Sequence, residues 1–323
     1  MSTQRVTSIH VHHGFEPSLG DWVAGLLREA LPGRLVVSWA SEDDLRAGLP
    51  EVEVLLAFRP PRGIWANARR LRLIQMMGAG VDALLPAPDL PPGVQIANAR
   101  GLHGAQMSEF ALAMILALAK RIPRALEQQQ ARLWKMYGLP QLAGKTLGIL
   151  GLGAIGAAIA DKATCFGLRV IGTQRDPKPV PHVELVLAGP EGAERVLRES
   201  DFLVVLLPLT PDTRGSIGAR ELDRMKPGAF LVNLARGGIV DEQALLERLR
   251  SGRLAGAALD VFAQEPLPAD DPLWSAPNTI LTPHLAGLEP EYMQRLTALA
   301  ADNVRRLERG EPLRNPVDRL RGY

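Results

Sequence analysis

A single cysteine, Cys165, stands in 323 residues, which excludes an intramolecular disulfide framework and any metal site built from several thiolates. It lies in an apolar stretch of helical character, residues 163–166, where a small buried core residue is expected rather than a nucleophile. Long apolar runs are also missing. The longest, residues 110–119, is about half the ~20 residues that span a bilayer, so it is expected as a buried or subunit-packing helix, with no membrane partner. Residues 1–10 show no basic segment followed by an apolar one, which argues against a secretory signal and makes the cytoplasm the expected location. Nor is there an excess of charge of one sign. The 37 Lys and Arg nearly balance the 35 Asp and Glu, for a net +2, and no basic block stands out, so nucleic acid is not an expected partner. His10, His12 and His13 suggest a metal site at first sight, but no carboxylate or Cys near them completes the three or four ligands a metal needs. No metal is expected. His103 is read as an ordinary loop histidine, and neither an internal repeat nor a low-complexity tract is evident.

What the chain does contain is ordinary globular composition, 46% hydrophobic and 22% charged, at a length beyond which single cores usually divide. Two α/β blocks are legible. In the first, short apolar or β-branched runs at 6–11, 35–39, 52–58, 72–77 and 94–97 alternate with helix-like stretches such as 21–31 and 43–49. A long helical run over 106–133 leads to the second block, with strands expected at 146–150, 169–172, 202–207, 229–234, 255–261 and 279–282. Such alternation predicts parallel sheets with helices on both faces. The fold class is therefore α/β, with two Rossmann- or flavodoxin-like doubly wound domains. A last helix over 290–309 is expected to return and complete the N-terminal domain. The expected division is 1–99 with 288–323 as the substrate-binding domain and 100–287 as the dinucleotide-binding domain, with hinges near 97–101 and 286–289.

Gly151, Gly153 and Gly156, with Ala154 and Ile155 between them, fit G-x-G-x-x-G. The first glycine suits the tight turn, the second lets backbone approach a pyrophosphate, and the third permits close helix–strand packing. The motif follows a predicted strand and opens a helix expected over 154–166, whose amide end favours phosphates. An NAD-type site carries Asp or Glu about 20 residues further on. Here the positions are Gln174 and Arg175, and Asp176 comes late, before Pro177. A guanidinium pairs with a 2′-phosphate where a carboxylate would repel it, so NADP is expected over NAD.

Three ionisable residues fall just past predicted strands, where ligands bind in open α/β sheets. Arg236, in Asn233-Leu-Ala-Arg-Gly-Gly238, offers a fork able to hold a carboxylate and a neighbouring carbonyl oxygen. His284, after Thr282-Pro283, is placed to give a proton to a carbonyl oxygen as hydride reaches carbon. Glu265 is placed to sit behind that imidazole, orienting it and favouring its protonated form.

Taken together, Gly151–Gly156, Leu207-Pro-Leu-Thr-Pro-Asp-Thr213, Met225-Lys-Pro-Gly228, Asn233–Gly237, Ala258-Leu-Asp-Val-Phe262 with Glu265-Pro266, and Thr282-Pro-His284 resemble the D-isomer-specific 2-hydroxyacid dehydrogenase family over about residues 144–287. A looser match covers Met77-Gly-Ala-Gly-Val-Asp82 and Asn98-Ala-Arg-Gly101. The resemblance implies that His284 is the acid/base, Glu265 its partner and Arg236 the substrate-orienting cation. It implies that Asp260 and the backbone around Ala235 meet the nicotinamide carboxamide, that Pro208 and Thr213 line the cofactor groove, and that amides of Gly78, Ala79 and Gly80 bind the substrate carboxylate. The missing acidic residue resembles the NADPH-preferring glyoxylate/hydroxypyruvate reductase-like branch. The expected activity is reduction of a small 2-keto acid to the D-2-hydroxy acid, by a homodimer formed through the 106–133 helix. Trp134 and Tyr137 are read as packing against the partner subunit, and Arg59 as a possible specificity residue. The rivals are a dinucleotide-sensing binding protein like the related corepressors, and phosphoglycerate, formate or phosphite oxidation on the same scaffold.

Overall fold

The computed structural model describes residues 4–14 and 16–322. They divide into two compact units, one formed by the chain up to Leu102 and from Glu289 onward, the other by His103–Leu288.

The first unit is a five-stranded parallel sheet. Its strands are β1 (Ser8–His12), β2 (Leu35–Ser38), β3 (Val54–Ala57), β4 (Leu73–Met76) and β5 (Gln95–Ala97), in the order β2-β1-β3-β4-β5. Both faces are covered, so β3 reads as a continuous apolar run, whereas β1, Ser-Ile-His-Val-His, alternates in sequence although all five residues are buried. Ile9, Val11, Leu56 and Leu73 pack with helix α1 (Pro17–Ala30) and with helix Tyr292–Arg309. Leu55, Ala57, Ile74 and Met76 face the other way, towards Leu45 of helix α2 (Glu42–Gly48) and Trp65. Ser41 caps α2, its hydroxyl accepting from the Asp44 amide at 3.1 Å, which satisfies one of the orphan donors of the first turn. The returning helix is tied in by more than apolar burial. Tyr292 Oη donates to the Met77 carbonyl at 2.6 Å, Asn303 Nδ2 donates to Gln75 Oε1 at 2.7 Å, and Arg34 pairs with Glu308 at 2.9 Å. Its fully buried Leu296 and Val304 add about 1.5–3 kcal/mol each. Trp39 Nε1 donates to Nδ1 of the buried His10 at 2.7 Å, and burial pushes the His10 pKa down to about 4.

The second unit opens with α3 (Gly104–Ala119) and α4 (Ile122–Gln130), followed by β6 (Thr146–Leu150), α5 (Ala154–Ala163), β7 (Arg169–Thr173), β8 (Leu185–Leu187), α6 (Gly189–Glu199), β9 (Phe202–Val205), α7 (Ala219–Arg224), β10 (Ala229–Asn233), α8 (Glu242–Arg250), β11 (Leu254–Leu259) and β12 (Thr279–Leu281). All seven strands are parallel, in the order β12-β11-β10-β9-β6-β7-β8. The chain reverses direction across the sheet between β6 and β9, which is where an open α/β sheet leaves its binding crevice.

Four expectations need correction. The long helix over 106–133 is two helices, because Pro123 in the first turn of α4 has no amide to continue the ladder, and Arg121 takes φ 50 to make the break. A seventh strand, β8, joins the predicted six. Its three residues are only half-buried at the sheet edge, and Pro177, Pro179 and Pro181 just before it read as loop. Cys165 is exposed rather than part of the core. The helix predicted to reach residue 166 stops at Ala163, and Thr164–Phe166 form a single 3₁₀ turn ended by Gly167 at φ 67.

Candidate active site

The glycine turn lies at the crevice of the second sheet. Gly151, at φ 104, adopts a backbone conformation that side chains disfavour, and a Cβ there would stand 2.9 Å from the Leu206 carbonyl carbon. The turn is thus pressed against the chain leaving β9. Gly153 has open space where a side chain would be, and no side chain caps α5 behind it. The amides around Ala154 and Ile155, the first being exposed and the second half-buried, are left for an anion. Gly156 is buried under the turn, against Gly151 and Ile149. Across the switch point, Pro208 is exposed, and Thr213 Oγ1 donates to the Pro208 carbonyl at 2.6 Å while accepting from the Thr210 amide at 2.8 Å. The hydroxyl expected to line a groove therefore also closes its own turn. These residues fit a dinucleotide: an uncapped helix start and a glycine cradle stand at the sheet's reversal.

At the ends of the next three strands the ionisable trio appears in spatial order. β10 leads to Arg236, β11 to Glu265 and β12 to His284. His284 Nδ1 and Glu265 Oε2 are 3.0 Å apart, and Glu265 Oε1 accepts from the Phe262 amide at 3.2 Å. The carboxylate is therefore fixed at one end and presented to the imidazole at the other. The half-buried Arg236 donates from Nη1 to the Ala235 carbonyl at 2.8 Å, and the Ala235 amide is held by Asn233 Oδ1 at 3.1 Å. The turn after β10 lies against the turn after β11 with no room between them. A Cβ on Gly237 would stand 1.8 Å from the Phe262 carbonyl oxygen. Backbone at that distance cannot yield as a flexible side chain does, so Gly237→Ala is expected to displace the loop carrying Glu265. Destabilisation of at least about 1–3 kcal/mol, the usual range for overpacking, should be read as a lower denaturant midpoint with kcat reduced as well.

His284 itself takes φ 55, a left-handed region uncommon for residues other than glycine, although histidine enters it more often than most. Asp260 holds it there. The Asp260 carbonyl accepts the His284 amide at 2.9 Å, and its carboxylate accepts from Thr282 Oγ1 at 2.6 Å, the Leu285 amide at 2.8 Å and the Ala286 amide at 2.9 Å. At 1% exposure with those donors in place, Asp260 works beneath the histidine turn, a task that motif reading did not assign. Glu242 is a second residue that pattern reading missed. Its Oε1 accepts the Ala263 amide at 2.7 Å, and burial, with the nearby charges of Asp271, Asp241 and Glu265, pushes its pKa up. Only its position at the start of α8, after the capping Asp241, marked it in the sequence.

Gln174 is turned inward, its carboxamide bonded to the Leu152 carbonyl and the Lys178 amide, whereas Arg175 is exposed. In the first unit, the Gly78 and Ala79 carbonyls accept from the Ala99 amide at 3.0 Å and Asn98 Nδ2 at 2.8 Å. Among the described residues no group of three His, Cys, Asp or Glu is placed to hold a metal.

A glycine cradle at the switch point of a seven-stranded parallel sheet, followed by a cation, a carboxylate and an imidazole on successive strand ends, defines a dinucleotide-dependent oxidoreductase. The chain belongs to the D-isomer specific 2-hydroxyacid dehydrogenase family, whose NAD binding domain matches residues 112–286. A glyoxylate/hydroxypyruvate reductase A of Serratia proteamaculans (strain 568) is 37% identical over 309 residues, covering 94% of this chain and 96% of that one. Among solved structures, a D-isomer specific 2-hydroxyacid dehydrogenase from Xanthobacter autotrophicus Py2 in complex with NADPH and MES superposes with TM-score 0.89 at 36% identity, over 98% of this chain and 100% of that one. An NADPH-dependent glyoxylate/hydroxypyruvate reductase from Sinorhizobium meliloti in complex with NADP and sulfate gives TM-score 0.88 at 31% identity, again over 98% and 100%.

Proposed function

We propose that this protein reduces a small 2-keto acid, of the glyoxylate or hydroxypyruvate type, to the D-2-hydroxy acid, with NADPH preferred over NADH. The observation that carries the reading is the Glu265–His284 pair, 3.0 Å apart at the strand ends that follow Arg236. A nicotinamide dinucleotide, its pyrophosphate held along Gly151 to Gly156 and its groove lined by Pro208 and Thr213, would supply the hydride. Glu265 engages Nδ1 of His284, which leaves Nε2 to deliver the proton to the substrate's carbonyl oxygen, and the reverse in oxidation. The Arg236 fork neutralises and aligns the carboxylate beside that carbonyl. On the first unit, the amides of Gly78, Ala79 and Gly80 form a nest suited to a carboxylate. Support for NADPH comes from Arg175, from the lack of an acidic residue at 174 and from the dinucleotides carried by the related structures. Steady-state kinetics with both cofactors on a panel of 2-keto acids test it. The expected result is turnover of glyoxylate or hydroxypyruvate with kcat/KM higher for NADPH. Equal or better efficiency with NADH would contradict the cofactor assignment. Tight dinucleotide binding without turnover of any keto acid would favour a sensing protein.

The reading extends to a homodimer in the cytoplasm. No helix among the described residues is long and apolar enough to cross a membrane. α4 buries none of its residues within the chain, and Ile122, Leu126, Leu133, Trp134 and Met136 are exposed, Trp134 at 97%. An apolar stretch of this kind favours a second copy as its cover. Trp134→Glu is expected to shift the mass measured by light scattering from dimer to monomer, and a wild-type monomer would refute the assignment.

A further inference from the structure

Gln174 occupies the position where an NAD-type site carries its acidic residue. Its Nε2 donates to the Leu152 carbonyl at 2.6 Å, and its Oε1 accepts the Lys178 amide at 3.0 Å. The preceding residue grips the same turn, because the Leu152 amide donates to the Thr173 carbonyl at 2.7 Å and the Gly151 amide to Thr173 Oγ1 at 3.3 Å. Consecutive residues at the end of β7 thus hold both backbone polar groups of Leu152, in the middle of the glycine turn. The Gln174 amide donates to the Leu187 carbonyl at 2.9 Å, which anchors the residue to β8. A carboxylate here would have no hydrogen to give the Leu152 carbonyl and would set an anion against it, so this turn selects a carboxamide. The other end of the carboxamide closes the loop 174–178. Arg175 and Lys178, both exposed, lie on that one tethered loop, stiffened by Pro177.

We propose that Gln174 is a positioning residue that sets selection for the 2′-phosphate of the dinucleotide. It locks the loop bearing Arg175 and Lys178 to the glycine turn, so that two cations meet the 2′-phosphate at a fixed distance from the pyrophosphate cradle. Arg175 supplies the bidentate contact and Lys178 a second point charge. The inference rests on the NADPH reading above and adds that discrimination depends on a neutral residue that carries no charge to the ligand.

Isothermal titration with 2′,5′-ADP and with 5′-AMP tests it. Wild type is expected to prefer 2′,5′-ADP by at least about tenfold, roughly the worth of one charge-assisted pair. Gln174→Met keeps the shape, adds no charge and removes both hydrogen bonds. It is expected to lower that preference about tenfold, with faster deuterium exchange at the Lys178 amide and little change in melting temperature. Arg175→Ala should lower the preference without the change in exchange. Should the methionine variant fail to fold, Gln174→Ala carries the same expectation. A wild type with no preference would overturn both this inference and the NADPH assignment. A wild-type preference that survives intact in Gln174→Met, or in Gln174→Ala where the methionine variant does not fold, would overturn this inference alone.

Discussion

Replacing His284 by asparagine is expected to lower kcat by about two to four orders of magnitude, the usual range for loss of a positioned general acid, with the dissociation constant for NADPH little changed. Asparagine is the informative choice. His284 sits at φ 55, and asparagine accepts that conformation more readily than alanine, so the variant removes the proton donor without releasing the turn. The proton path is short. Glu265 is held by the Phe262 amide and faces Nδ1 at 3.0 Å, which orients the ring. Single-turnover and steady-state rates with NADPH and glyoxylate, alongside fluorescence titration of NADPH, separate chemistry from binding. Wild-type turnover in this variant would remove His284 from the reaction.

Asp260→Asn is expected to be the second most damaging change to the site, although its side chain is 1% exposed. Its two oxygens accept from Thr282 Oγ1, the Leu285 amide and the Ala286 amide, each of them on the turn that carries His284. An asparagine can keep the two acceptances on one oxygen, but its NH₂ then faces the Ala286 N–H. One donor–donor contact in a buried place costs about 1–3 kcal/mol, and the turn is expected to rotate away from it. Displacing a reacting group by about 1 Å lowers rate by about a hundredfold, so kcat should fall by about one to two orders of magnitude. Melting temperature and kcat are the two readouts. A variant that loses stability but keeps kcat would show that Asp260 supports the fold without positioning the histidine.

The strands and the fold class were legible because parallel strands buried on both faces appear as short apolar runs, and β3, β6 and β10 all sit within runs of that kind. Edges and breaks were less visible. β8 is half-buried and only three residues long, a short run after the prolines at 177, 179 and 181, and the end of α3 depends on one left-handed residue, Arg121. Cys165 misled because composition alone does not reveal that a helix stops two residues earlier. Within the site, Arg236, Glu265 and His284 could be picked out because each follows a strand. Asp260 and Glu242 hold backbone amides, and no sequence pattern distinguishes an acceptor for amides from an ordinary carboxylate. Gln174 is the mixed case: its identity was informative about the cofactor, whereas its two hydrogen bonds to the glycine turn and to Lys178 emerge only when β6 and β7 lie side by side.

The most direct test of the account follows a label through the reaction. NADPH carrying deuterium at both C4 positions of the nicotinamide is incubated with the enzyme and hydroxypyruvate, and the hydroxy acid is analysed by mass spectrometry and chiral chromatography. The account predicts a D-2-hydroxy acid with one deuterium on C2, its hydroxyl proton drawn from solvent by way of His284. A product of L configuration, or one without deuterium at C2, would contradict it.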